Sequence, residues 1–235
     1  MKTLFEYLNT NVKQTKVVPK NGEELCKIVY DEIKRLGFTC DLNHIDVSHV
    51  TNFNNVFYAM SSEMTFFNGD VSEWDVSRMK SCDFMFSSCH FDGDLSQWDV
   101  SRCESFRSTF NMATHFTGKG LENWRLKSAK TTSYMFHKTF KFSGDTITDW
   151  KIPKGLTEMS HMFTRAFGLE ADFSKWNLSH VPLKGKSEIF DYCQKMRVEW
   201  LPKGLDPNNV KIELDKKAWN EVFKHYNQTE KESLS

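Results

Sequence analysis

Apolar and polar residues alternate over four short stretches: Trp74 and Val76, Trp98 and Val100, Trp124 and Leu126, and Trp150 and Ile152 are each separated by one polar residue. A period of two predicts a short strand with one buried face. A different rhythm follows. Met79, Cys82, Met85 and Phe86 stand at i, i+3, i+6 and i+7, and Cys103, Phe106, Thr109 and Phe110 repeat that spacing. This predicts about two turns of helix with one apolar stripe. Ser77 and Ser101 stand where a helix cap is expected. Gly69, Gly93, Gly118 and Gly144 recur before each predicted strand, where a chain reversal calls for a positive φ.

The alternation belongs to a longer repeat. "FNGDVSEWDVSRMKSCDFMF" from Phe67 is followed by "FDGDLSQWDVSRCESFRSTF" from Phe91, and weaker copies begin at Phe116, Phe142 and Phe167. Trp74, Trp98, Trp124, Trp150 and Trp176 mark the units, with a degenerate copy at Ile45 and a last one expected at Trp200; the spacing is roughly 24 to 29 residues. Phe57, Phe86, Phe110, Phe136, Phe163 and Phe190 close them. One unit cannot bury its own Trp and Phe, so units are expected to stack with each Trp in a column of Trp. Asn21 to Gly37, "NGEELCKIVYDEIKRLG", reads as a helix with an Asn cap, early acids and a terminal Gly. Leu214 to Tyr226, with Trp219 and Phe223 four apart, reads as a second helix. The expected organisation is a helical N-terminal cap at 1–40, repeats at 41–205, and a C-terminal helical cap and tail at 206–235.

The run from Asp41 to Phe190 resembles the BspA-like leucine-rich repeat surface proteins, whose unit reads F-N-G-D-[IL]-S-x-W-D-V-S-x-V-T-N-M-x-x-M-F; "FDGDLSQWDVSR" and "DVSHVTNFNNVF" carry the likeness with the Phe67 unit. The resemblance implies a macromolecule-binding protein that does no chemistry. With the periodicities, it gives the expected fold class: an α/β solenoid, a leucine-rich-repeat-like stack of short parallel strands and short helices with helical caps at both ends. Later units depart from W-D-V-S to "WRLKS", "WKIPKG" and "WNLSH".

Composition narrows the partner. Thirty-one basic and 31 acidic residues balance, so no overall field draws the molecule onto nucleic acid or lipid. The charge is unevenly placed: acids dominate from Phe67 to Ser105 and bases from Arg107 to Arg165. Residues flanking each Trp are expected to face outward in two ladders. The first is His44, Glu73, Gln97, Asn123, Asp149 and Lys175; the second is Asp46, Asp75, Asp99, Arg125, Lys151 and Asn177. Asp is the default of the second ladder, so Arg125 and Lys151 are the informative changes. The expected contact face is Glu73, Asp75, Gln97, Asp99, Asn123, Arg125, Asp149 and Lys151, with a basic patch of Lys119, Lys127, Lys130, Lys138, Lys141 and Lys154. In "YMFHKTFKF", Tyr134 to Phe142, the aromatics including Tyr134 are expected in the core, leaving His137 and the lysines to bind.

Six cysteines without a C-x-x-C pair read as free, mostly buried thiols. Cys89-His90 with Cys82 lacks the second spaced pair of a zinc site, and Asp92-Gly93-Asp94 lacks the further acids of a calcium loop and reads as a turn. No catalytic motif and no cofactor is expected. The start of the chain has no apolar stretch of signal-peptide length and no run approaches a membrane span, so a cytoplasmic, non-membrane protein is expected. The functional expectation is a non-enzymatic intracellular solenoid that occludes or tethers another protein or a ribonucleoprotein, as a small inhibitor does. An inhibitor of a nucleic-acid-guided defence complex, of the anti-CRISPR type, is a special case that no residue identifies. RNA or single-strand nucleic-acid binding through the basic middle units is one alternative, and cell-surface adhesion is another.

Overall fold

A computed structural model describes residues 16–58 and 64–212. Its only α-helix among them, α1 (Gly22–Leu36), follows from its ends: the Asn21 side chain accepts the Glu24 N–H at 3.0 Å, and Gly37 closes the helix with φ 92° while its N–H bonds the Ile33 carbonyl. Leu25, Val29 and Ile33 form its buried stripe. The helix lies on the first repeat, with the Cys26 thiol donating to the Asn54 carbonyl. The expected C-terminal helix lies outside the described residues.

The α/β expectation is overturned between α1 and Lys211. Among the described residues there are six single 3-10 turns, no strand and no sheet, only isolated parallel bridges such as Asn52 to Ser81, Ser81 to Ser105, Ser105 to Thr131 and Thr131 to Glu158. The extended piece around each Trp is too short to form a ladder. The Trp74 N–H turns back to the Val71 carbonyl at 3.2 Å, and the Val76 carbonyl is taken by the Met79 N–H at 2.8 Å. Alternation of burial survives, with Trp74 and Val76 inside and Glu73 and Asp75 outside.

The predicted helical stripe is not a helix either. Cys82, Phe84, Phe86 and Ser88 donate their N–H groups to Ser105, Arg107, Thr109 and Asn111 of the next repeat at 2.8 to 3.0 Å. The residues between them, Met85, Ser87 and Cys89, donate three residues back. The chain can run this way because Phe84 and Ser88 hold left-handed φ values of 58° and 59°. The same two positions recur: Ser108 and Met112, Tyr134 and Lys138, His161 and Arg165, Glu188 and Tyr192. A left-handed residue stops an α-helix. Consecutive turns of this kind reproduce the i, i+3, i+7 spacing that reads as a helix. Each repeat is thus one rung of a coil, bonded to the next by alternate backbone N–H groups in this segment and closed by local turns around the Trp.

Side chains complete the stacking. Trp74, Trp98, Trp124, Trp150 and Trp176 form a column with ring centroids 6.4 to 6.5 Å apart and planes within 5°. Each indole N–H is satisfied by a carbonyl of the preceding rung, from Leu42 under Trp74 to Thr148 under Trp176. Phe57, Phe86, Phe110, Phe136, Phe163 and Phe190 form a second column at 5.0 to 5.6 Å, and Phe67, Phe91, Phe116 and Phe142 a third at 6.2 to 6.5 Å. Trp200 departs from the series: it is half-buried, with Arg197 over its ring at 4.6 Å. Of the recurrent glycines only Gly118 and Gly144 have positive φ. Gly69 and Gly93 are required for space, since a Cβ there would sit 2.6 Å from the rings of Phe67 and Phe91.

Candidate surface groove at Arg125 and Lys151

The aspartates of the second ladder are scaffold. Asp75 Oδ1 accepts the Ser77 N–H and Asp99 Oδ1 the Ser101 N–H, each at 3.0 Å, and Asp46 with Ser48 and Asn177 with Ser179 repeat the bond. Ser77 and Ser101 therefore donate a turn bond through their backbone N–H groups and do not cap a helix. Bonds from Ser72, Ser96 and Ser101 hold Asp70, Asp94 and Asp99 below the usual carboxylate range.

Two rungs drop this device. At Arg125 the turn is closed by backbone alone, the Lys127 N–H bonding the Arg125 carbonyl at 2.9 Å. At Lys151 the position of the serine is Pro153, which has no N–H for a carboxylate to accept. Both basic side chains are exposed, and they line one groove of about 590 Å³ together with Glu122, Lys127, Asp149 and Pro153. The Arg125 guanidinium rests on the carbonyls of Glu122 and Trp124 at 3.0 Å. Asp149 is drawn to Lys175 of the next rung at 2.7 Å, so Arg125, Lys127 and Lys151 outweigh the remaining carboxylate of the groove, Glu122.

The other expected contact residues lie outside this groove. Glu73, Asp75, Gln97, Asp99 and Asn123 are exposed as expected, and Asn123 is tied back to the Ser96 carbonyl at 3.2 Å. His44, expected in the outward ladder, is tucked under α1 with its Nε2 3.5 Å from the Glu32 carboxylate and its side chain 7% exposed. The lysines of the expected basic patch do not line one cavity. Lys119 pairs with Asp94 at 3.3 Å and Lys130 with Glu104 at 2.5 Å, so the acidic and basic halves are stitched together where they meet. Lys127 belongs to the groove and Lys154 is exposed beside Pro153. Lys141 borders a separate shallow cavity with Phe38, Phe66 and the imidazoles of His90 and His115, whose centroids lie 4.1 Å apart with planes tilted by 44°. Lys138 is half-buried about half a turn of chain away from the groove.

Two further expectations in "YMFHKTFKF" change. Met135, Phe136 and Phe142 are buried, but Tyr134 stands half-exposed with its ring stacked on His161 at 4.5 Å. His137 is not free: its Nδ1 lies 2.8 Å from Asn111 Oδ1, and burial, reinforced by Lys138, Arg165 and His161, lowers its pKa from 6.5 to about 3. The unfolded chain takes a proton here below about pH 6.5 while the folded protein does not until about pH 3, so this contribution to stability is full above that window and is lost as pH falls through it. Urea unfolding from about pH 7 to about pH 5 should therefore cost the wild type more stability than it costs His137→Gln; equal losses would contradict the buried neutral ring.

Cys89 is buried, its thiol donating to the Phe67 carbonyl at 3.2 Å, and burial raises its pKa to about 12, which suits packing and not attack. Asp92 accepts from the backbone and hydroxyl of Thr117 of the next rung, and Asp94 accepts the Ser96 N–H; the turn expected at Asp92-Gly93-Asp94 lies instead at Ser96 and Gln97. No helix among the described residues is long and apolar enough to cross a membrane.

A family described as "Mycoplasma protein of unknown function, DUF285" matches residues 26–150 and, in a second overlapping match, 104–211, so the likeness covers α1 and the stacked rungs. No curated protein and no solved structure matches.

Proposed function

We propose that this chain, which belongs to the DUF285 family of Mycoplasma proteins, is a non-enzymatic binding coil whose cationic groove at Arg125 and Lys151 seats an acidic segment of a partner protein. The observation that carries the reading is local. The rungs at Trp124 and Trp150 abandon the side-chain-to-serine turn that their neighbours make with Asp75, Asp99 and Asn177, and both put a cation where the accepting oxygen would stand. A scaffold selected for stability alone gains nothing from that exchange, whereas a surface selected to meet an acidic partner does. Exposed faces of stacked repeats serve binding generally, because each rung adds side chains without disturbing the core. Occlusion or tethering of the partner is the mode of action this reading implies.

The partner is identified by affinity capture from native cells with and without nuclease, and the groove is then tested directly. Charge reversal in Arg125→Glu/Lys151→Glu should weaken the captured complex by more than about 1 kcal/mol, roughly a fivefold loss or more in affinity. Because neither side chain is buried, circular dichroism and the unfolding midpoint should be unchanged. Unaltered affinity in the folded double variant would remove the groove from the interface.

A further inference from the structure

The left-handed positions form two columns along one side of the coil, and their side chains change along the axis. Early rungs place Asn55, Phe84, Ser88, Ser108 and Met112 there, none of them charged; later rungs place Tyr134, Lys138, His161, Arg165, Glu188 and Tyr192. An ordinary L residue is strained in this region unless its surroundings enforce it, and Asn is among the best tolerated side chains. The backbone needs the conformation at every rung. It does not need a long cation or a ring.

Lys138 and Arg165 occupy the same position one rung apart, the Lys138 N–H bonding the Thr164 carbonyl. Neither has a carboxylate partner among the described residues; the nearby Glu188 lies 3.5 Å from His161, and Asp191 accepts the Lys211 N–H. Burial, and then the adjacent Arg165, lowers the Lys138 pKa, so the pair raises the local cost of its own charge. The Arg165 Nε–H is buried without an acceptor, so the guanidinium is held only by its seat over the Tyr192 ring at 5.6 Å and by packing. Tyr134 stacked on His161 forms the neighbouring wall.

We propose that Lys138 and Arg165, flanked by the rings of Tyr134, His161 and Tyr192, form a phosphate-binding site. Two cations on successive rungs suit a doubly charged oxyanion, the guanidinium offering a planar pair of donors and the ammonium a point charge. The flanking rings suit a phosphate that carries a planar group. This site is separate from the groove at Arg125 and Lys151 and stands whether or not that groove binds a protein.

The test is Lys138→Asn/Arg165→Asn, which removes both charges and installs a side chain suited to a left-handed φ. Thermal unfolding is followed for wild type and variant with pyrophosphate, with 5′-phosphorylated oligouridylate and with polyglutamate. The site requires that the wild type be stabilised by pyrophosphate, by the oligonucleotide or by both, that these shifts vanish in the variant, and that the variant without ligand unfold at the same temperature as wild type or higher. A shift with pyrophosphate marks a small phosphate ester as the ligand; a shift with the oligonucleotide alone marks a nucleic-acid strand. No shift with either phosphate ligand, a shift with polyglutamate alone, or a shift that survives in the variant overturns the proposal. Lys154→Asn, an exposed charge outside the site, should leave the shift intact.

Discussion

Trp98→Ala should destabilise the protein by about 3 to 5 kcal/mol, read as a lowered urea midpoint at unchanged slope. Trp98 sits between Trp74 at 6.4 Å and Trp124 at 6.5 Å, with Phe86 at 6.1 Å. Its removal opens a cavity with two parallel indole walls and takes away contacts on both sides at once. It also deprives the buried Val71 carbonyl of the indole N–H now 3.1 Å away. Trp98→Phe keeps one ring of the stack and loses the donor and the rest of the indole, so it should cost less than the alanine variant. Because each rung touches only its neighbours, the effect of Trp176→Ala should add to that of Trp98→Ala. A loss below about 1 kcal/mol for Trp98→Ala would mean that the column does not hold the rungs together.

Gly120→Ala should cost about 2 to 4 kcal/mol, from two sources that a control separates. Gly120 has φ 92°, and a Cβ there would lie 2.2 Å from the Ser96 backbone nitrogen of the preceding rung. The contact is with backbone, so relief requires the rungs to part. Gly37 has the same φ of 92° but nothing within 4 Å of its Cβ position. Gly37→Ala should therefore show the conformational cost alone, about 1 to 2 kcal/mol, and the difference between the variants measures how closely neighbouring rungs pack. Equal effects would show that the rungs can separate freely at Gly120.

The stacking was legible in the residues for a physical reason. Trp and Phe recur at a fixed interval, a single unit has no means of burying them, and only contact with the neighbouring unit does so. The helix α1 was legible from its boundary residues, Asn21 and Gly37, which act locally. The path of the chain between Trp and Phe was not. Left-handed residues are usually announced by Gly or Asn, but here Phe84, Tyr134 and His161 take that conformation because hydrogen bonds to the next rung enforce it. Those bonds are long-range, and their apolar spacing imitates a helix. The strand reading failed for a related reason: two alternating residues are extended, but turns close the chain on either side.

The candidate groove was half legible. Arg125 and Lys151 stand out as departures from W-D-V-S, and the structure places them in one groove. That Asp75 and Asp99 close turns, and that Lys119 and Lys130 are consumed in pairs between rungs, depends on which residues face each other across the stack. Lys138 was named in the expected basic patch, but its pairing with Arg165 was hidden by the helix reading; the register Ser88, Met112, Lys138, Arg165, Tyr192 carries the signal once the left-handed positions are known.

The direct measurement is of scalar couplings across hydrogen bonds by nuclear magnetic resonance. Stacked rungs require coupling from the amide nitrogens of Phe84 and Phe86 to the carbonyl carbons of Arg107 and Thr109. Couplings from those nitrogens to Lys80 and Cys82, four residues back, would instead mean a helix, and would contradict the coil of left-handed turns on which the column, the groove and the phosphate site all depend.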